Sequence, residues 1–333
     1  MSPHSFLFKL WFFPFSLINM WRDWSNRNVN RNFIGSKLKI SGKNIWKKGP
    51  DLPTYRYEFG SALVGDNFYI IGGVTAPTVY TVTKRVDRYD IKSKEWSRVS
   101  NHPYIIHHPG VTSDQNFVYV IGGNGLRISS YSIAHKYNPE TDRWQRLADM
   151  PTKRCALGLA YLDGKIYAVG GADNKRPLSA FEEYDVEKNQ WKNLPDMPTA
   201  REHLFSVTIQ RFVYVLGGYQ NDRFHNVNTF ERYSIGRKVW EKLAPLPAKI
   251  SGFSACIYGK SIFAFGGEQG WATSDEIYEY KLKEKKWFRR GNMPAARYAG
   301  AVISAEDGIH IVGGNPLMMS GKFSNDHDIL IPQ

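Results

Sequence analysis

The sequence predicts an all-β chain, a closed ring of six four-stranded antiparallel sheets arranged as a propeller. Three observations predict it. Trp46, Trp96, Trp144, Trp191, Trp240 and Trp287 each stand seven residues before a proline: Pro53, Pro103, Pro151, Pro198, Pro247 and Pro294. Each proline stands twenty residues before the second glycine of a pair: Gly72-Gly73, Gly122-Gly123, Gly170-Gly171, Gly217-Gly218, Gly266-Gly267 and Gly313-Gly314. Tyrosines Tyr89, Tyr137, Tyr184, Tyr233 and Tyr280 each precede the next tryptophan by seven residues. A unit of 47 to 50 residues with so fixed an internal spacing is one structural element copied along the chain.

Within the unit, strand a is a short apolar run such as SALV or GLAYL. A tight-turn pair follows, as in Gly65-Asp66, Asp163-Gly164 and Asp307-Gly308, which makes a hairpin with the next run. Strand b is FYII, FVYVI, KIYAV, FVYVL, SIFAF or GIHIV, too short for a helix and rich in aromatic and β-branched residues. Gly-Gly closes strand b where a neighbouring backbone or ring leaves no room for a Cβ. Strand c carries the tyrosine and strand d opens with the tryptophan, bulky rings suited to the wedge between sheets. Radial packing covers both faces of every sheet, which no single four-stranded sheet achieves alone.

Gly-Gly, then a tyrosine followed by Asp or Asn (Tyr89-Asp90, Tyr137-Asn138, Tyr184-Asp185), then tryptophan seven residues on, resembles the kelch repeat. The resemblance covers residues 46–314 in six copies and implies a six-bladed kelch β-propeller. The pattern breaks at the seam, because no tyrosine and no seventh tryptophan follow Gly314. Trp46 is therefore expected to supply strand d of the last blade. Its strand c is open to two runs, DILI at 328–331, which is favoured, or KLKI at 37–40. Either way the two ends of the chain share one blade and remove the open edges.

With 333 residues, 42% hydrophobic and 23% charged, the chain can bury a large core. The net charge of +13 is concentrated: residues 1–50 hold nine Lys/Arg against Asp23, a net of +8, leaving +5 on the other 283. That distribution argues against nucleic acid as a partner. The expected division is a basic, apolar leader at 1–45, irregular or partly disordered, and the propeller at 46–333. The run FLFKLWFFPFSLINMW at 6–21 is interrupted by Lys9 and Pro14 and is short for a bilayer span. It lacks the basic start and small-residue cleavage site of a signal peptide. Arg22, Arg27 and Arg31 give the following stretch some character of an organelle presequence, so targeting or secretion stands as the alternative to a plain extension. Cys155 and Cys256 fall at unlike depths of different repeats, which predicts two reduced, packed thiols and a cytoplasmic setting.

In such a blade the b–c loop and the d–a connection to the next blade share one face. All length variation lies in the b–c segment: from the second glycine to the tyrosine the gaps are 16, 14, 13, 15 and 13 residues. Variable loops on a rigid scaffold are where binding resides. They carry Tyr80, Arg127, Tyr131, Lys175, Arg176, Tyr219, Arg223, Phe224, His225 and Trp271, several of them types that interfaces favour. Three residues beyond each repeat proline stand Arg56, Ile106, Arg154, Arg201, Ile250 and Arg297. Arg56, Arg154, Arg201 and Arg297 there predict an anion-attracting collar at the channel mouth, joined by Tyr57, Tyr298, His107 and His108. The resemblance adds that some kelch proteins hold acidic peptide segments with arginines of that face. The competing reading is structural, with the arginines tying blades through Asp87, Glu182 or Glu231.

No phosphate-binding loop follows the glycine pairs, and two isolated cysteines offer no zinc spacing. His107 and His108 are adjacent, so on a strand they are expected to face opposite ways and make poor co-ligands. His310 takes the place held by Tyr69, Tyr119, Tyr167 and Tyr214, which makes it a blade-filling residue. No catalytic residue, metal or cofactor is expected. The family's copper oxidases need a tyrosine, histidine and cysteine set that is not identifiable here, while an enzyme of the sialic acid mutarotase type, needing only polar groups in the channel, is the alternative reading. The repeat wording LPDMPTAR, DGKIYAVGG and YDVEKNQW is most similar to kelch-like proteins that present substrates to ubiquitin ligases. Those carry a BTB oligomerisation domain, which a 45-residue leader is too short to hold, so ligase recruitment does not carry over to this chain alone and a separate oligomerisation or ligase subunit stays an open partner. The resulting expectation is a non-enzymatic, adaptor-like module that binds protein, including acidic peptide motifs, with actin as a second partner class and no membrane role.

Overall fold

The computed structural model describes residues 45–75, 81–126, 129–220, 225–270, 272–316 and 323–332. The expectations for residues 1–44, including the KLKI strand and every targeting reading, lie outside them.

Six four-stranded antiparallel sheets form the predicted blades. The first blade runs Gly60–Val64, Asn67–Ile71, Val86–Asp90 and Glu95–Val99, in the order a, b, c, d. Its Tyr89 lies directly across from Trp96, with ring centroids 5.0 Å apart, and the next four blades repeat the pair at 5.0–5.3 Å. Only the fifth blade adds a hairpin in a described b–c segment, Glu268–Gln269 with Ala272–Thr273.

The sixth blade joins both ends of the chain. Its strands are Ala301–Ala305, Gly308–Val312, His327–Ile331 and, outermost, Ile45–Lys48. Strand c is therefore the C-terminal run, as favoured, and strand d carries Trp46 opposite Leu330. Lys48 adds ion pairs to Asp326 at 3.0 Å and Asp328 at 2.9 Å. His310 is buried against Phe68, the blade-filling place expected of it.

Among the described residues the core is divided into six apolar clusters, one at each blade interface. Leu52, Phe59, Phe68, Tyr89, Ile303 and Val312 fill the one between the first and sixth blades. The glycine pairs meet the close approach that the sequence implied. A Cβ on Gly72 would lie 2.3 Å from the Ile106 carbonyl oxygen, and one on Gly73 would lie 2.7 Å from that of Tyr57. Both glycines also hold positive φ, +67° and +96°.

Tryptophan does more than fill the wedge. The indole N–H of Trp96, Trp144, Trp191, Trp240 and Trp287 donates to the carbonyl of Pro50, Ser100, Ala148, Pro195 and Ala244 respectively. Each acceptor stands four residues past the tryptophan of the preceding blade, so every indole tethers its blade to the one before.

Candidate functional site at the channel mouth

Strand a of every blade lines the central channel, which encloses a cavity of about 520 Å³. Leading into strand a, the d–a connection makes two sets of bonds to neighbouring blades. The carbonyl at the arginine position accepts from the second glycine of the preceding blade, as in Gly171 N–H to Arg201 O at 3.0 Å and Gly73 N–H to Ile106 O at 2.8 Å. Two residues further on, Glu58, His108, Ala156, His203, Gly252 and Ala299 bond to one another, each amide donating to the preceding member's carbonyl at 2.7–3.1 Å. The series closes on itself, Glu58 donating to Ala299, in a ring of six hydrogen bonds around the axis. All six residues adopt φ between +50° and +56°, the left-handed region that bulky side chains rarely enter.

The arginine collar is corrected by this geometry. Arg56, Arg154 and Arg201 are fully buried and Arg297 nearly so, each turned into its own blade toward a strand c acid. Arg56 pairs with Asp87, Arg154 with Glu182 at 2.6 Å, Arg201 with Glu231 at 2.9 Å and Arg297 with Asp328 at 2.5 Å. Burial draws the Arg201 guanidinium down to about 10, partly offset by Glu231, so the guanidinium stays protonated at neutral pH. In the second and fifth repeats isoleucine replaces arginine, and His135 and Tyr278 stand where the acid would be. Arginine and acid thus occur together or not at all. The side chain holds the d–a connection onto strand c of the same blade, while its backbone carbonyl makes the bond between blades.

At the mouth stand instead the side chains of the hydrogen-bonded ring. His107 and His108 do not face opposite ways. With His108 left-handed (φ 51°), strand alternation fails, and the two Nδ1 atoms lie 2.6 Å apart. Glu58 stands 3.4 Å from His107 Nδ1 and 3.3 Å from His108 Nε2. Burial opposes ionisation of Glu58, yet His108 and His107 together hold its carboxyl well below the ordinary range. His108 is pulled down by burial against the pull of Glu58. His203 packs 4.7 Å from His108 and 5.1 Å from Tyr219, with Glu202 3.4 Å from its Nδ1. Glu268 stands beside them, raised to about 7 by burial, with His203 opposing.

Other expected residues fall elsewhere. Tyr57 and Tyr298 meet at the seam between the first and sixth blades, 6.2 Å apart, with Phe323 stacked on Tyr57 at 4.5 Å. Tyr219 is buried, so it packs down rather than out. Tyr131 lies beside exposed Tyr104, ring centroids 6.0 Å apart. Cys155 and Cys256 are buried free thiols, the former accepting from the Asn124 amide at 3.1 Å. Tyr80, Arg127, Arg223, Phe224 and Trp271 lie outside the described residues. Sequence reasoning missed Glu58 and His203, although both occupy one column of the repeat, two residues past the arginine position.

Comparison with known proteins fits this architecture. The family model for the Attractin/LZTR1 beta-propeller matches residues 118–328, and that for the Kelch motif matches 55–103. The chain belongs to the Attractin/LZTR1 β-propeller family. Its repeats are kelch repeats. Among curated relatives, the kelch propeller is 26% identical to Kelch-like protein 25 of Xenopus tropicalis over 79% of this chain and 38% of that protein. It is 27% identical to Kelch-like protein terF of Aspergillus terreus over 81% of this chain and 63% of that one. It is 32% identical to Kelch-like protein 40 of Xenopus laevis over 38% of this chain and 20% of that protein. The chain thus spans about a fifth to two fifths of the length of the Kelch-like 40 and 25 relatives. The solved structure of YjhT superposes with a TM-score of 0.72 at 17% identity, covering 84% of this chain and 95% of YjhT, a likeness of fold.

Proposed function

We propose that this kelch propeller is a protein-binding module that engages its partner on the b–c/d–a face, adaptor-like as in ubiquitin-ligase substrate receptors. The observation that carries the reading is the placement of exposed apolar side chains. Tyr55, Tyr104 and Leu126 are 56%, 42% and 59% exposed, and all three lie on connections of this face in the first two blades. Exposed tyrosine and leucine on one rim of a rigid ring are the anchors a protein interface uses. With the four arginines committed inside their blades, the acidic-peptide form of the reading gives way to an apolar one. The kelch-like names of the relatives support an interaction role, and a cytoplasmic setting is part of the proposal.

The test is affinity capture with quantitative mass spectrometry, wild type against Tyr104→Ser/Leu126→Asp. Partners that fall away in the variant, with the melting temperature held, support the reading. A partner set that is unchanged by the substitutions overturns it.

A further inference from the structure

The channel mouth also gathers three metal-ligating side chains, apart from the apolar rim. Glu58 belongs to the connection entering the first blade, and His107 and His108 to that entering the second. The backbone sets them side by side, because the His108 amide donates to the Glu58 carbonyl at 2.8 Å. One donor atom from each of the three side chains lies within 4.8 Å of the others. Glu58 Oε2 and His108 Nε2 are buried and make no hydrogen bond, although each has its ion-pair partner at 3.3–3.4 Å.

We propose that Glu58, His107 and His108 form a zinc site that clasps the first blade to the second, with its remaining coordination position open to the channel. Two imidazoles and one carboxylate make a donor set that suits zinc and not magnesium or calcium. A tetrahedral site with bonds of about 2.1 Å separates its donor atoms by roughly 3.4 Å, and one oxygen of Glu58 stands at that distance from each imidazole, Oε2 from His107 Nδ1 at 3.4 Å and Oε1 from His108 Nε2 at 3.3 Å. The two imidazoles meet through their Nδ1 atoms, 2.6 Å apart, which leaves His108 Nε2 without a hydrogen bond and free for a metal. Zinc takes the lone pairs of His107 Nδ1 and His108 Nε2, with one proton kept on the other nitrogen of each ring, so a small rotation of the two rings exchanges the hydrogen bond for the metal and no proton leaves.

The test uses the full-length protein, stripped with chelator and titrated with zinc chloride by calorimetry, with magnesium chloride as the control. The expected result is one zinc per chain, no magnesium, and a rise in melting temperature on loading. Cobalt substituted for zinc is expected to give visible absorption bands of a nitrogen- and oxygen-ligated centre. Glu58→Gln, nearly the same shape, and His108→Asn, tolerant of the left-handed backbone, are each expected to weaken zinc at least about tenfold. Failure of the wild type to take zinc, or equal binding by wild type and both variants, overturns the proposal. Neither result bears on the apolar rim, whose own test needs no metal.

Discussion

Gly314 donates its amide to the carbonyl of Arg56 at 3.0 Å, and that bond joins the last blade to the first across 258 residues of sequence. It is the same bond that Gly73 makes to Ile106 and Gly267 to Arg297, so the seam is built like every other joint. Side chain and backbone of Arg56 serve different blades, and the consequences can be separated by mutation.

Removing one arginine of the four leaves a buried carboxylate without its cation. Arg201→Met is expected to cost roughly 3–5 kcal/mol, since the buried Glu231 carboxylate then loses its cation and is left with the Thr199 hydroxyl. Arg201→Met/Glu231→Leu is expected to recover most of that loss. Urea unfolding of the two variants checks it; a double variant as unstable as the single would show that the cation matters for more than its acid.

The sixth blade depends on residues 327–331. A chain ended at Asn325 loses strand c, separates Ile45–Lys48 from the ring and exposes the face of Ile309 and Ile311. The expected outcome is a melting temperature lower by roughly 10 °C or more, or aggregation. A synthetic peptide of residues 323–332 added in excess is expected to restore part of it by strand addition. Calorimetry with and without peptide decides the matter.

Acid is expected to loosen the same blade. Burial, with His310 beside it, pulls His327 down to about 4, against the partial offset of the Pro50 carbonyl, Asp328 and Asp307. The unfolded chain binds the proton more tightly than the fold does. This stability is therefore full above about pH 6.5 and is lost as pH falls from there to about 4, amounting to roughly 3 kcal/mol. His102 at about 3 and His135 at about 4 act in the same sense in the second blade. His327→Gln is expected to show a shallower fall of melting temperature across that window; identical curves for variant and wild type would refute the assignment.

The indole tethers have a measurable share. Trp191→Phe keeps an aromatic ring against Tyr184 but loses the 2.8 Å bond to the Ala148 carbonyl. The expected loss is about 1–3 kcal/mol from the unmet carbonyl and the smaller ring. Equilibrium denaturation reads it directly.

The ring was legible because six copies hold one spacing, so Trp46 without its own preceding tyrosine pointed to a blade shared by both chain ends. Strand c of that blade falls on DILI, which begins 14 residues past Gly314, within the 13–16 residues that separate glycine from tyrosine in the other repeats. The mouth was not legible for a local reason. Arginine is long, and a position three residues past the proline does not say whether it reaches into the channel or back into the blade; only the pairing with Asp87, Glu182, Glu231 and Asp328 settles that. His107 and His108 were misplaced because alternation assumes extended backbone, whereas a residue at φ 51° swings its ring to its neighbour's side. The cue was present in the repeat itself, where glycine occupies that column at Gly252.

The seam also sets how the molecule answers to force. Ile45 pairs with Ile331 and Lys48 with Asp328, so tension applied at residues 45 and 331 bears on a single rung at a time. The ladder peels like a zipper instead of resisting in shear. The shared blade, which seals the circle at rest, is the place where a mechanical load would first unlatch it.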